Sequence, residues 1–310
     1  MKSKDPAGSP LVWAVVTNWN GLDDTTECLN SLLASTYDAL EVVVVDNGST
    51  DESPDAIARR FPSVAMVRTG VNDAVTAAYN AGVQYGLDHN ADYILMLNND
   101  IKLSSDMTEL LVKAAEDDPS IGMVTPKIYY YDTPDVIWFA GGKRSRFDFG
   151  AYGTREGERD EPENSVAKEV DYAWACGMLI RRAFLVDYGL FDTRFYLYYD
   201  DVDMSYRVQE AGYRIWYVPE AKMWHKVSHS TGSERFTRIW ARSKMRLYRK
   251  HTRGLHQLAL IVYAYAHGAV RAIFPRHDNM RIGAHPKAYM SGLTEGLGKW
   301  QGVEQDANAQ

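Results

Sequence analysis

Residues 40–51, LEVVVVDNGSTD, decide the fold of this chain. The first six are apolar except for Glu41 and rich in β-branched side chains, which predicts a buried strand. The Asp, Asn and Gly residues that follow predict a tight turn at the end of this strand. A helix is expected next, because Ser53 is a favourable N-cap residue and Pro54 suits a first helical turn.

The same alternation covers the first hundred residues. Further short apolar runs predict strands at residues 11–16, 64–67 and 93–97, and helical patterns lie at residues 24–33, 53–61 and 74–87. The order β-α-β-α-β-α-β predicts an α/β fold with a mostly parallel central sheet and flanking helices. Ligands of such sheets bind at the carboxyl ends of the strands, so the residues there are the first candidates for a site.

After residue 102 the pattern becomes mixed. Helices are expected at residues 104–117, 181–188 and 201–211, strands at 121–125, 129–132, 136–140, 170–174 and 214–218, and a polar loop at 153–169. The halves 11–102 and 103–232 are expected to form one domain. Helical patterns at residues 237–250 and 256–274 predict a C-terminal helical extension over 233–302, and we expect residues 1–10 and 303–310 to be flexible.

The composition of the 310-residue chain is that of a globular protein, with 45% hydrophobic and 24% charged residues. Its two cysteines exclude a disulfide scaffold. We recognise neither a secretory signal nor an apolar run long enough to span a bilayer, and therefore expect a cytoplasmic protein. The net charge of −7 argues against general nucleic-acid binding.

The charge is unevenly distributed along the chain. Residues 235–287 contain twelve Lys or Arg residues and a single acid, Asp278. A basic and partly apolar tail on an acidic body suggests an anionic partner, and basic amphipathic helices often lie on anionic bilayers. The alternatives are that these residues only solvate helix faces, or that the helices form a homodimer contact.

Short polar side chains follow three of the predicted strands. They are Thr17, Asn18 and Asn20 after the first, Asp46 after the second, and Asn98, Asn99 and Asp100 after the fourth. At any single strand end, these residues could simply form a turn. All three strand ends, however, meet at the edge of the sheet where ligands bind, which favours a binding site. Asp100 beside amide side chains suits Mg²⁺ or Mn²⁺, which would stabilise a pyrophosphate leaving group. No P-loop or G-x-G-x-x-G sequence is present, which disfavours a P-loop NTPase and a Rossmann dehydrogenase.

A second acidic group follows an aromatic run, in the segment FYLYYDDVD at residues 195–203. Asp200 or Asp201 can cap the next helix, and Asp203 can pair with Arg207 one turn later, but these roles do not account for all three acids. A carboxylate among apolar neighbours and beside a second acid can have a raised pKa and act as a general base. His225 is either a structural histidine or a further ligand of the expected metal.

The chain resembles the family 2 glycosyltransferases with the GT-A fold, and most closely their bacterial rhamnosyltransferase-like branch. The resemblance rests on the order and spacing of VVTNWNG, VVVVDNGSTD, LNND, CGMLIRR, GLFDTRFYLYYDDVDMSYRVQEAGY and GLTEGLGKWQG. It implies an inverting enzyme that transfers a sugar from a nucleotide-diphosphate donor to a hydroxyl of a glycan or lipid-linked glycan. Within this branch TDP-rhamnose is the first candidate donor, with UDP-hexoses and GDP-mannose open, and the enzyme would act peripherally at the inner face of the cell membrane.

The resemblance also implies roles for individual residues. The nucleotide-binding residues would be Thr17, Asn18, Asn20, Asp46, Asn72, Asn98 and Asn99 in the half formed by residues 11–102. Asp100 would carry the metal, Mn²⁺ or Mg²⁺, with His225 completing its site. Asp201 would be the general base and Asp200 the neighbour that orients it. The segment beside the sugar and acceptor would contain Trp174, Gly177 and Met178.

The chain departs from the family pattern in two places. Glycines that usually follow the Asn72 position are replaced in residues 73–79, and the acidic pair is Asp-Asp where Glu-Asp is more usual. Two other functions remain open at this point. A nucleotidyltransferase would need a basic residue in the loop TNWNG, which has none. A catalytically silent nucleotide-sugar or glycan-binding protein would be distinguished by the absence of turnover.

Overall fold

The computed structural model describes residues 8–145, 150–227, 233–274 and 284–298, and the first hundred residues form the expected parallel layer. Its elements are β1 (Val12–Asn18), α1 (Leu22–Leu33), β2 (Leu40–Asp46), α2 (Ser53–Arg60), β3 (Ala65–Arg68), α3 (Val75–Asp88) and β4 (Tyr93–Asn98). The strands are parallel in the order β3-β2-β1-β4. Their β-branched and aliphatic side chains are buried on both faces because helices cover the sheet.

The second half extends the sheet with mixed pairing. Its elements are β5 (Ile101–Leu103), α4 (Met107–Asp117), β6 (Ile121–Tyr130), β7 (Ile137–Phe139), β8 (Gly142–Arg144), β9 (Ala151–Gly153), β10 (Lys168–Val170), β11 (Gly177–Arg181), α5 (Arg182–Tyr188), α6 (Asp200–Glu210) and β12 (Arg214–His225), with a 3-10 turn at Pro162–Asn164. In the part of the chain that is described, ten strands form one sheet, in which β11 lies antiparallel between β4 and β6. The predicted fold class is confirmed, with a parallel first half and a mixed second half.

Several predicted elements differ from those observed. The strands expected at residues 121–125 and 129–132 are one continuous strand, β6, and only Val170 of the strand expected at 170–174 is in a strand. Strand β12 continues to His225, seven residues past the predicted end, because a break in register between Val218 and Lys222 accommodates Pro219. Strand β11 was not predicted.

Three helices complete the described chain: α7 (Glu234–His251), α8 (Gly254–Ile273) and α9 (Pro286–Leu297). They share a core of their own, formed by Ala241, Met245, Tyr248, Leu260, Ala264, Tyr289 and Leu293. Helix α9, which was not predicted, packs very closely on α7, because a Cβ atom at Gly292 would lie 2.1 Å from the carbonyl oxygen of Arg238. The expected C-terminal helical region is therefore present. The expectation of flexible termini falls outside the described residues, except at residues 8–10.

Gly82 sets the distance between α3 and the sheet. A Cβ atom at this position would lie 2.2 Å from Cγ1 of Val15 and 2.8 Å from Cγ2 of Val45. Both neighbours are buried, β-branched strand residues with stiff side chains. Gly82→Ala should therefore destabilise the protein by about 1–3 kcal/mol through overpacking, although alanine favours an exposed helix by roughly 1 kcal/mol over glycine.

Chemical denaturation measures this change in the free energy of unfolding. Gln84→Ala, at an exposed position of the same helix, is the matched control and should change it by less than about 0.5 kcal/mol. Equal stability of Gly82→Ala and the unmodified protein would contradict the close packing of α3 on β1 and β2.

Candidate active site

The pairing of β5 with β12 brings His225 to Asp100. In this antiparallel pair His225 lies opposite Ile101, and the N–H of Lys226 donates to the carbonyl oxygen of Asp100 at 2.9 Å. The His225 Nε2 atom is 3.1 Å from Oδ1 of Asp100. The two residues are more than a hundred positions apart in sequence, so only the strand register places them together.

The Asp100–His225 pair has the donor atoms that a hard divalent cation needs. Both side chains are largely buried, and neither Oδ1 of Asp100 nor Nδ1 of His225 has a hydrogen-bond partner of good geometry. Burial works to raise the pKa of Asp100, but the contact with His225 and the charge of Lys226 bring it below its ordinary value. One carboxylate and one imidazole fit Mn²⁺ or Mg²⁺ in a site that substrate phosphates and water complete. Among the described residues, no group of three or more acidic, histidine or cysteine side chains forms a closed metal site.

The acidic pair lies at the start of α6. Tyr198 and Tyr199 immediately before it both have left-handed backbone conformations, with φ of 65°. Non-glycine residues adopt this conformation at a cost, and such strain is typical of functional sites. The expectation that Asp200 or Asp201 caps the helix is wrong: the N-cap position is Tyr199, and both acids are in the first turn. Their carboxylates are thereby free to face a cavity.

Asp200 and Asp201 have different surroundings although both are buried. Asp201 accepts hydrogen bonds from the N–H of Val202 at 2.8 Å and from the hydroxyl of Tyr172 at 3.1 Å. Burial raises the pKa of Asp201 to about 6, and these bonds limit the rise. Burial and the charge of Asp201 raise the pKa of Asp200 well above its ordinary value. Both carboxyl groups therefore hold a proton to a higher pH than an exposed aspartate does.

Asp203 does not belong to the cavity. Its carboxylate, 1% exposed, accepts hydrogen bonds from Lys250 Nζ and lies 2.7 Å from Nε2 of His251. The suggested pairing with Arg207 is a distant 4.0 Å contact, because the Arg207 guanidinium donates to backbone carbonyl oxygens before α6. Asp203 thus fastens α6 to the C-terminal end of α7.

A cavity of about 830 Å³ joins the two acidic centres. Asn98, Asp100 and His225 line it on the sheet side, and Asp200 and Asp201 line it on the α6 side. Cys176 also lines the cavity, and burial and the charges of Asp100 and Asp201 raise the pKa of its thiol. The cavity is therefore the place where a metal, a base and a substrate can meet.

Aromatic side chains form much of the cavity wall. Of these, the sequence analysis named Trp174 as a site residue; it did not name Tyr79, Tyr130, Trp138, Tyr172, Phe236, Trp240 or Tyr263, and it quoted Tyr198 and Tyr199 only as part of an aromatic run. Trp138 packs edge-on against the His225 ring, with centroids 4.6 Å apart, and lies 5.1 Å from the Trp174 ring. Such surfaces accommodate the apolar faces of a bound organic group. The aromatic residues in the sequence of α7 could have indicated that the C-terminal helices contribute to the cavity wall.

A polar cluster lies beside the cavity, at the ends of β1 and β2. The Asn18 amide donates to Oδ1 of Asp46 and to the hydroxyl of Ser53, both at 3.0 Å, and accepts from the Thr25 hydroxyl at 2.8 Å. Thr17 precedes it on β1. These bonds hold the Asp46 carboxylate in one orientation at the carboxyl edge of the sheet.

The loops around this cluster are held by further amides. The Asn20 side chain accepts from the backbone N–H of Thr50 at 2.8 Å, and Asn72 accepts from the Asn47 amide at 3.4 Å. Gly48 has φ of +71°, and a Cβ atom there would lie 2.2 Å from the backbone of Val71, so glycine is required. The loops after β2 and β3 therefore meet beside Asp46.

Three predicted site residues point elsewhere. The Asn99 amide donates to Thr25 at 3.0 Å, towards α1. Met178 is fully buried in the core, and Gly177 lies against Met223 in the sheet. None of the three is among the described residues that line the cavity. The structure gives them packing contacts, and their part in binding stays a prediction.

Comparison with known proteins identifies the family. A family model described as glycosyl transferase family 2 matches residues 13–189, more than half of the chain. The N-acetylglucosaminyl-diphospho-decaprenol L-rhamnosyltransferase of Mycobacterium tuberculosis (strain CDC 1551) is 29% identical over 242 residues, which cover 70% of this chain and 76% of that protein.

Solved structures show the same fold at low identity. GalNAc-T7 with UDP, GalNAc and Mn²⁺ is 14% identical with a TM-score of 0.65, and the match covers 94% of this chain and 56% of that one. Mannosyltransferase PcManGT from Pyrobaculum calidifontis, in complex with GDP-Man and Mn²⁺, is 18% identical with a TM-score of 0.59, and the match covers 95% and 89%. The fold that these enzymes share with the chain is the GT-A fold. The chain belongs to glycosyl transferase family 2 and is a glycosyltransferase.

Proposed function

We propose that this enzyme transfers a sugar, with inversion, from a nucleotide-diphosphate donor to a hydroxyl of a lipid-linked glycan, with Asp201 as the general base. The observation that carries the proposal is the position of Asp201 on the wall of the cavity that Asp100 and His225 also line. A base with a pKa near the working pH is effective in proton transfer, and burial gives Asp201 such a value.

The reaction is a single displacement. The acceptor hydroxyl gives its proton to Asp201 as its oxygen attacks the anomeric carbon of the donor. The bond from that carbon to the β-phosphate oxygen breaks, and the nucleoside diphosphate leaves with the electron pair. Asp200, whose pKa is raised by burial and by the charge of Asp201, would orient the acceptor or Asp201. No covalent enzyme intermediate is needed, and the raised pKa of the Cys176 thiol disfavours that residue as a nucleophile.

The Asp100–His225 pair would hold Mn²⁺ or Mg²⁺ together with the donor diphosphate. The cation would neutralise charge that develops on the leaving diphosphate. Two structural relatives are described with Mn²⁺ and a nucleotide or nucleotide sugar, which supports this assignment by likeness of fold. The polar cluster around Asn18 and Asp46 would bind the base and ribose of the donor, with Asn98 between this cluster and the metal.

Rhamnose from TDP-rhamnose is the sugar we propose. The support is the mycobacterial relative, which is named for rhamnose transfer to a lipid-linked N-acetylglucosamine. UDP-hexoses and GDP-mannose are the competing donors. The aromatic wall of the cavity supports an acceptor with apolar surface, such as the faces of a sugar ring or the start of a lipid chain.

Donor binding should depend on a metal ion and on Asp100. In calorimetric titrations with TDP-rhamnose, UDP-hexoses and GDP-mannose, TDP-rhamnose should bind in the presence of Mn²⁺. Asp100→Asn should weaken this binding by about 10- to 100-fold, the loss seen even for outer-shell partners of metal ligands. Chelator should weaken binding to the unmodified protein equally and have no further effect on the variant. Donor binding that depends on neither the metal ion nor Asp100 would contradict the metal site. Tighter binding of another donor would show that rhamnose is not the transferred sugar.

Removing the base should stop turnover without loss of donor binding. Asp201→Asn should lower kcat by about 10²- to 10⁴-fold, the usual contribution of a general base, while the Kd of the donor changes little. Glu156→Gln is the matched control, since Glu156 is an exposed carboxylate at the cavity edge that accepts a hydrogen bond from Tyr130 at 3.3 Å. Release of nucleoside diphosphate measures both. Retained turnover in Asp201→Asn would show that Asp201 is not the base.

The rate should fall at acidic pH because Asp201 must be ionised to accept a proton. Below a midpoint at pH about 6, kcat/KM for the acceptor should fall by about tenfold per pH unit. Tyr172→Phe removes a hydrogen bond that favours the ionised form and should raise this midpoint by about half a pH unit or more. A profile without this acidic limb, or a midpoint that Tyr172→Phe leaves unchanged, would contradict the assignment of Asp201.

A further inference from the structure

Lys244 of α7 is a buried cation on the wall of the active-site cavity. It is 4% exposed, and it is the only lysine or arginine among the described residues that line the cavity. The acids Asp100, Asp200 and Asp201 line the same cavity. Withdrawing an ammonium group from water is costly unless its charge is compensated. A lysine in this position is therefore a candidate for binding an anionic part of a substrate.

Aromatic rings surround the Lys244 ammonium. Its Nζ atom lies 5.1 Å from the centroid of the Trp240 ring and 5.9 Å from that of the Tyr263 ring, and both rings line the cavity. The Tyr248 ring, 5.7 Å away, belongs to the core of the C-terminal helices. Ring faces compensate part of the charge of an ammonium group, and an anion in the cavity would compensate it further through charge-assisted hydrogen bonds.

Contacts of α7 place Lys244 on the side of the cavity that contains the acidic pair. The hydroxyl of Ser243 donates to the carbonyl oxygen of Leu197 at 2.9 Å. The Trp240 ring lies 5.8 Å from the ring of Tyr199, the residue directly before the acidic pair. The proposed metal site lies instead at the pairing of β5 with β12. Lys244 therefore belongs to the side from which the acceptor must approach the general base.

A second cation stands behind the same wall. His267 of α8 lines the cavity beside Tyr263, with ring centroids 5.8 Å apart. The Arg271 guanidinium donates to Nε2 of His267 at 3.3 Å. The wall formed by α7 and α8 is thus positively charged, whereas the walls formed by the sheet and α6 carry the acids. Electrostatic complementarity favours an anion at the α7 and α8 wall.

We infer that Lys244 binds a phosphate group of the acceptor, which is an anionic amphiphile in which phosphate joins the glycan to the lipid. The rings of Phe236, Trp240 and Tyr263 would contact the first carbons of the lipid chain beside this phosphate. The donor diphosphate does not require Lys244, because the proposed metal ion neutralises it on the sheet side. The inference deepens the proposed function and rests on it.

Binding of geranyl diphosphate tests this phosphate subsite without turnover. The full-length protein is titrated in a calorimeter with chelator present, so that no metal ion can hold the probe. It should bind geranyl diphosphate at least about tenfold more tightly than geraniol, which lacks the charged group. Lys244→Met retains an unbranched apolar side chain and should weaken binding of geranyl diphosphate by about 10- to 100-fold, the worth of a charge-assisted hydrogen bond.

Two further variants serve as controls in this titration. Lys287→Met removes an exposed lysine of α9, outside the cavity, and should bind geranyl diphosphate like the unmodified protein. Asp100→Asn should also bind it normally, because the proposed metal site takes no part. Equal binding of geranyl diphosphate and geraniol by the unmodified protein would overturn the inference, whether or not Lys244→Met folds. Undiminished binding in Lys244→Met would overturn it as well.

Turnover separates this inference from the proposed function. Two acceptors carry the same N-acetylglucosamine, one joined to a geranyl group through a diphosphate and the other joined to it directly. Lys244→Met should raise KM for the first by about tenfold or more and leave KM for the second and the Kd of the donor unchanged. Weakened donor binding would assign Lys244 to the donor diphosphate, and equal losses with both acceptors would assign it a structural role; either result would overturn the inference. Absence of turnover with both acceptors in the unmodified protein would contradict the proposed function, while the titration would still decide whether Lys244 binds a phosphate.

Discussion

The burial of two adjacent carboxylates at the start of α6 is the constraint on which the site depends. A buried carboxylate is costly unless it is neutralised or hydrogen-bonded, and two together would repel each other. The structure offsets this cost at Asp201 with hydrogen bonds from the Val202 N–H and the Tyr172 hydroxyl, while burial and the charge of Asp201 raise the pKa of Asp200. Because Tyr172 comes from the segment before β11, the acidic pair keeps its properties only if that segment and α6 stay in register.

The C-terminal helices help to hold α6 in place. This gives many of the basic residues in the tail a structural role. Several of its cations face inwards: Lys250 pairs with Asp192 and Asp203, the Lys244 ammonium lies 5.1 Å from the Trp240 ring, and Arg249 donates to carbonyl oxygens at the end of α9. The expectation of an external anionic partner for the tail stays a prediction. Much of its charge serves internal contacts, which include the ion pairs of Arg238 and Arg242 with Glu295.

The sequence predicted elements that depend on local periodicity and missed features that depend on pairing. The strands β1 to β4 could be predicted as continuous apolar runs because the sheet is covered on both faces. The polar residues at their ends could then be predicted as the residues at the carboxyl edge. His225 required the register of β12 on β5, and β12 itself continues past Pro219, a residue that normally ends a strand. The sequence could have predicted in part that the Asn99 side chain points away from the cavity. Neighbouring side chains of an extended chain point to opposite sides, and Asn98 and Asp100 line the cavity. Helix α9 shows little apolar periodicity, and its glycines, which allow close packing on α7, argue against a helix in isolation.

Packing contacts connect α8 through α7 to α6, the helix that carries Asp201. Leu260 and Ala264 of α8 pack into the core that contains Ala241 and Met245 of α7. Helix α7 is in turn fixed to α6 through the buried Asp203, two positions after Asp201. Packed cores and buried ion pairs resist small displacements, because each shift creates a void or an unpaired charge. The position of α8 relative to Asp201 is therefore set by the fold.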